Sequence, residues 1–289
     1  MNADAAPVGA ESKLYHGRVD EDAVAAFALA TNNHSDLYQR GEAVPPLFTA
    51  AVLRESNWGE QRAGHYRVRK LVRKAHGSVH GEHDIYFRGP VKPGMALQWK
   101  FTLPYSARQT RGGVVVAQRI VLTDSAGSPV VEHLWSNFYI GGILQAEIGP
   151  PLPNHTFPEE ARSRPAGSGT VQVDRDQAFR YAGVSGDHAG HAMDDEIARR
   201  EGHPSKILQG MCTLGLSSGV LVDLAAGGDP ARLQRLACRF SAPAFPLQDL
   251  TVHLYDAGVT DEGGRAFVFE ATQKDRTVIK HGRLELLPD

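Results

Sequence analysis

Apolar and polar positions alternate in two textures along the chain, and the same succession of textures occurs twice. Residues 20–30 (DEDAVAAFALA) carry apolar side chains at helical spacing and predict a short helix, with Asp20 placed to cap its first turn. TNNHSDLYQRGEAVPP, rich in Asn, Ser, Gly and Pro, reads as loop, and LFTAAVLRESN from Leu47 as a buried helix. From about Tyr66 the pattern becomes β-type. HYRVRKLVRKAHG, EHDIYFRGP, MALQWKFTL, GGVVVAQRIVLTD and PVVEHLWSNFYIGG are predicted strands, with a hairpin turn at Ser125–Gly127 before the last. Residues 145–170 are rich in Pro, Gly and charge and predict a surface linker. The pattern then restarts. TVQVDRDQAFRYAGVS predicts a strand and a short helix capped by Asp174 or Asp176. Residues 205–227 predict a long helix, and RLACRFSAP, LTVHLYDAG, RAFVFEATQKD and TVIKHGRLELL are strands again.

The second pass copies the first. Phe87–Phe101 lies over Phe240–Leu254 without a gap, pairing Phe87 with Phe240, Pro90 with Pro243, Pro93 with Pro246 and Leu97 with Leu250. Phe27–Asn33 lies over Tyr181–Asp187 in the same order, placing Asn33 opposite Asp187. Helix then strands, given twice, predicts a duplicated α+β unit: 1–144, a linker at 145–170, and 171–289.

With 31 Lys and Arg against 33 Asp and Glu, the chain is near neutral, and with no basic run a nucleic-acid footprint is not expected. No apolar stretch approaches the ~20 residues of a membrane span, so no membrane partner is expected either. The opening MNADAAPVGAESK lacks a signal pattern and reads as a frayed tail. Cys212 and Cys238 form no disulfide framework, which fits a reducing cytoplasm.

Candidate chemistry gathers between Phe179 and Gly227. Ser185-Gly186-Asp187, then Asp194, Ala198, Gly202, Ile207, Leu208, Gly210, Cys212 and Thr213 keep the spacing S-G-D-x-N-P-L-H-x-D, A, G-F-x-x-P-I-L-H-G-L-C-T. In this the chain resembles the MaoC-like, (R)-specific enoyl-CoA hydratase or dehydratase family. The resemblance implies a double hot-dog fold, each antiparallel sheet wrapping a central helix. It also implies an acyl-CoA or acyl-carrier-bound substrate, no cofactor, and a homodimer as one assembly. Hydration of an enoyl thioester needs a base, an acid for Cα and a donor for the enolate oxygen. Carried over, Asp187 is the base and the Gly210 N–H the carbonyl donor at the helix start. Ser185 and Gly186 shape the turn, and His188, Ala192 and Gln209 line the substrate.

The departures cluster. The family Asn, Pro and His positions hold Ala189, Gly190 and Ala192, and the usual His-Gly of the helix start is Gln209-Gly210. Four readings stand open: His191 or His188 supplies the acid; Ala192 replaces a native His; the pocket serves a cyclisation or isomerisation of a polyketide-type intermediate; or the protein is a non-catalytic acyl-binding scaffold. His191 is the replacement acid carried forward. In the first pass Asn33 cannot act as a base, so that half is expected to be non-catalytic. His80, Glu82 and Asp84 alternate on a predicted strand and would share a face, but with His83 they make only a weak metal signal, and a solvated strand face is expected. Tyr181 and Cys212 read as buried core.

Overall fold

The computed structural model describes residues 9–53, Ser56, Gly59, Val68 and 70–288. They fall into two compact units, one within 1–17, 55–89 and 96–154, the other within 18–54, 90–95 and 155–289.

Runs of β-branched residues give the first unit its sheet. β1 (Tyr15–Arg18), a short β2 (Val72–Arg73), β3 (Gly77–Phe87), β4 (Ala96–Thr110), β5 (Gly113–Thr123), β6 (Pro129–Ile140) and a short β7 (Ile143–Leu144) follow in chain order. The five longer or edge strands lie in the order β1-β4-β5-β6-β3, and β2 pairs β7 apart from them. The turn before β6 forms as expected. Asp124 accepts from the Ala126 and Ser128 amides, and Gly127 takes the positive φ that the turn requires. One face buries Val68, Val72, Ala107, Val114, Val116 and Tyr139 together.

The second unit holds α1 (Glu21–Ala30), α2 (Asp36–Gln39) and α3 (Phe48–Val52), then α4 (Gln177–Ser185), α5 (Gly190–Met193), α6 (Asp195–Arg200) and α7 (Gly210–Ala226). Its strands are β8 (Pro165–Val171), β9 (Leu233–Phe240), β10 (Leu250–Val259), β11 (Arg265–Gln273) and β12 (Arg276–Leu286), in the order β9-β12-β11-β10-β8. Reversed, this is the first unit's order, strand for strand, as a duplication requires. Asp20 caps α1 through the Ala23 amide at 2.9 Å. α7 is apolar nearly all round and packs against β8 and β10. A Cβ at Gly169 of β8 would stand 2.7 Å from Val220, so glycine there sets how closely helix and strand approach.

The structure differs from the sequence expectations in identifiable places. Residues 165–170, expected in a linker, belong to β8, whose backbone registers on β10 from Val171↔Leu250 to Pro165↔Tyr255. Its glycines mimic a linker because Leu224 and Val220 of the helix crowd the positions of Gly167 and Gly169. Residues 18–54 pack in the second unit, where Phe27 meets Tyr181 and the Asn32 and Gln177 amides are hydrogen-bonded. Most of the strand expected from His65, and the end of the helix expected from Leu47, lie outside the described residues. Lys70 and Leu71 are helical rather than extended. The long helix begins at Gly210, not 205, because the preceding backbone is extended, with the Leu208 N–H donating to Ala244. Asp176 occupies the N-cap of α4 without a side-chain cap bond. Arg180 instead draws Asp174 and Asp176 into ion pairs.

Candidate active site

The loop that follows α4 is set by a glycine. α4 ends at Gly186, which adopts the left-handed conformation (φ 69°) and donates its N–H to Ala182 at 2.8 Å. The Ser185 hydroxyl donates to the Tyr181 carbonyl at 2.7 Å and accepts from the Asp187 amide at 3.2 Å. Ser185 thus serves the turn both as donor and as acceptor. The Asp187 carboxylate is partly buried and accepts from the Ala189 N–H at 3.2 Å.

Gln209 ties this loop to the central helix. Its Nε2 donates to the Asp187 carbonyl at 2.8 Å and to the Ala178 carbonyl at 3.1 Å. Gln209 is buried at the N-cap of α7, and its Oε1, sealed from solvent, meets no protein donor. Gly210 is the first helical residue, so its N–H has no acceptor within the helix and sits at the positive end of the dipole. A Cβ on Gly210 would come within 3.4 Å of the Phe240 ring, so glycine keeps that approach open.

Burial pushes the Asp187 carboxyl pKa up, against the lowering effect of the Ala189 amide and of His191 and His188. The Tyr181 hydroxyl is raised further, by burial and by the neighbouring Cys212 and Asp187. Cys212 is buried, and burial pushes its thiol pKa up, away from what a thiolate nucleophile needs.

The sequence-predicted residues therefore divide. Asp187, Ser185, Gly186, Gln209 and Gly210 are brought together where α4 meets the start of α7. His191 is turned to other work, since its Nδ1 lies 2.8 Å from Glu201 and its ring stands edge-on to His203. That contact takes up Nδ1 and leaves Nε2 uninvolved in it. His188 is exposed. Ala192 is fully buried in α5. The neighbouring family Pro position holds Gly190, where any Cβ would meet Ile197 at 2.9 Å. Sequence reading left Tyr181 and Phe240 out of the site; the only signal for Tyr181 was its i, i+4 spacing to Ser185.

The expected face of His80, Glu82 and Asp84 is not formed. A bulge between His80 and Glu82 shifts the register, and His80 faces His83 and Trp135. His83 Nδ1 lies 3.2 Å from His80 Nε2, and His83 Nε2 lies 3.0 Å from His133 Nδ1. Among the described residues no group of His, Cys, Asp or Glu is arranged to hold a metal.

Residues 157–278 match the MaoC like domain family. The chain is 25% identical over 186 residues to a protein of Dictyostelium discoideum named probable enoyl-CoA hydratase 2, covering 63% of this chain and 62% of that one. It is 33% identical over 115 residues to the 3-hydroxyacyl-thioester dehydratase Y of Mycobacterium tuberculosis, covering 38% of each. These matches span less than two thirds of either relative. A MaoC-like dehydratase structure from Phytophthora capsici superposes with a TM-score of 0.80 at 21% identity, over 98% of both chains. A hypothetical protein of Mycobacterium tuberculosis, described as having a double hotdog fold, superposes at 0.60 with 13% identity over 96% of both chains. The fold is thus α+β of the double hot-dog kind. No described helix is long and apolar enough to cross a membrane.

Proposed function

We propose that this protein, whose residues 157–278 are a MaoC-like domain, adds water to, or removes it from, the α,β-carbons of an acyl thioester on CoA or a carrier. Asp187 carries this reading. It is a partly buried carboxylate, its pKa raised by burial, on a loop pinned to the start of α7. Activation of water calls for a base poised nearer neutrality than an ordinary carboxylate.

One carboxylate closes the proton cycle. Asp187 takes a proton from water as the oxygen bonds to Cβ, and the π electrons pass to the thioester oxygen. The resulting enolate is stabilised by the first amides of α7, with Gly210 admitting the carbonyl. The Asp187 carboxylic acid then returns its proton to Cα. Dehydration runs these steps backwards. No imidazole is required, which accommodates Ala192 at the family His position. His191 holds its loop through Glu201, and Ser185 and Gly186 hold the turn. The names of the Dictyostelium and mycobacterial relatives support the same substrate class.

The test is hydration of crotonyl-CoA and of longer enoyl-CoAs, followed by loss of the enoyl absorbance, for the wild type and Asp187→Asn. Turnover that disappears in Asp187→Asn is expected. Equal rates in the two proteins, or inertness of both across the chain-length series, overturn the reading.

A further inference from the structure

At one end of the first unit's sheet three turns meet. The His76 amide donates to Ile140 at 3.0 Å, and the Gly141 amide donates to Gly112 at 2.9 Å. These bonds join the turn into β3, the β4–β5 hairpin and the glycine turn after β6. The segments concerned, 70–80, 109–114 and 138–146, contain Lys70, Arg73, Lys74, His76 and Arg111 and no Asp or Glu. Arg73, Lys74, His76 and Arg111 are all exposed. The sequence itself holds no acidic residue between Glu60 and Glu82. The expectation of no basic run, sound for the chain's overall balance, fails here.

The same tip exposes aliphatic side chains. Val79 is 51% exposed, Ile140 43% and Ile143 47%. Strand register explains why. Val79 lies opposite Phe138, two residues before Ile140, while Ser78 lies opposite the buried Tyr139. Val79, Phe138 and Ile140 therefore point away from the face that buries Tyr139, Val114 and Val116. In the small β2–β7 pair, Val72 and Leu144 pack on that core and leave Ile143 on the outer side, opposite Arg73.

We infer that this tip is a docking surface for an anionic phospholipid membrane. Cations around the exposed aliphatics match a negatively charged headgroup layer above hydrocarbon. The aliphatics sit at turns and strand ends, where they can enter a headgroup layer without unfolding the sheet. Nucleic acid would use the cations and leave the aliphatics in water. Peripheral contact needs no spanning helix, and it departs from the sequence expectation of no membrane partner.

The full-length protein is sedimented with phosphatidylcholine vesicles with and without phosphatidylserine. It is expected to bind only the phosphatidylserine vesicles and to be released by salt. Arg73→Gln and Lys74→Gln are each expected to weaken binding about fivefold. Ile143→Asn is expected to weaken it while leaving the salt dependence unchanged. All three positions are exposed, so unchanged thermal melts confirm that the variants fold. Failure to bind, binding indifferent to phosphatidylserine, or full retention by the three variants overturns the inference. A dimer in sedimentation velocity that Ile143→Asn dissociates also overturns it, by assigning the patch to a second copy.

Discussion

Two buried polar clusters, one in each unit, use ionisable side chains to opposite ends. In the first unit His83 and His133 are fully buried and, with His80, form a hydrogen-bonded chain. A backbone group of Glu82 raises the His80 pKa, as a carbonyl accepting its N–H does. That leaves His80 Nε2 to accept from His83 Nδ1, and His83 Nε2 to accept from His133 Nδ1. Both nitrogens of the central His83 are met by its neighbours, and burial holds the His80 and His133 pKa values down at about 3. In the second unit Asp187 is only partly buried and takes one backbone amide, beside the unfilled start of α7. A network that consumes its own valences holds a fold together. A carboxylate left half-satisfied at a helix start is available to a substrate.

Asp187→Asn breaks that distinction most directly. A loss of about 10³-fold or more in enoyl-CoA hydration is expected, the general-base contribution with little left to replace it. The folded protein should be unharmed. Because burial raises the Asp187 pKa above its unfolded value, the ionised group detracts from stability at any pH above that value. The neutral amide removes this cost, so the melting temperature should hold or rise as activity falls. The raised pKa also moves the acid limb of the kcat/KM profile upward from where an unperturbed Asp would put it.

The histidine chain should show the reverse pattern, a stability effect without a catalytic one. The unfolded chain binds protons at His near pH 6.5, whereas folded His133 does so only near 3. The unfolded state therefore binds more protons in that window, and stability falls as pH drops from about 6.5 towards 3. The ceiling for His133 is about 5 kcal/mol. His133→Ala should cost about 2–4 kcal/mol at neutral pH by leaving a void and an unpaired His83 nitrogen. It should also flatten the acid slope in urea melts taken across that window. An unchanged slope would mean that the imidazoles take up protons in place.

How much of this contrast was legible in the sequence follows from the range of the interactions. Asp187, Gly186 and Gly210 were legible because a turn, a left-handed cap and a helix start are local and punctuated by residue type. The duplication was legible because strand–loop–strand segments kept their spacing from Phe87 and from Phe240. His133 was not, because its link to His83 crosses two strands and the bulge after His80 reversed the expected face. The strand expected from Thr170 starts earlier, at Pro165, because the composition of its first residues answers to the helix lying on it. The contact of His191 with Glu201 was not legible, because that partner stands ten residues on and beyond another helix.

Gln209→Ala tests whether the Asp187 loop owes its position to the helix start. The substitution leaves the Asp187 and Ala178 carbonyls without their donor, and a stability loss of about 1–3 kcal/mol is expected. A fall of about 10-fold in kcat, with KM little changed, would mark misplacement of the base rather than lost substrate binding. A variant that loses stability but keeps kcat would make Gln209 a purely structural clamp.

The smallest expected effect is also the one that separates the single-carboxylate cycle from one in which an imidazole supplies the acid. His191 stands next to the family His position, yet its Nδ1 is committed to Glu201 at 2.8 Å. If it supplied the Cα proton, His191→Gln would remove an acid and cost about 10²–10⁴-fold in turnover. Acting only through a half-exposed ion pair, it contributes at most about 1 kcal/mol to the loop, and Gln retains a donor for Glu201. His191→Gln is therefore expected to change kcat/KM by less than about 3-fold. Any shift in the pH profile should be slight, because His191 is a minor influence on the Asp187 pKa beside burial and the Ala189 amide. Loss of a basic limb from the profile, with turnover collapsing alongside it, would instead restore His191 as the acid and require its imidazole to leave Glu201 when substrate binds.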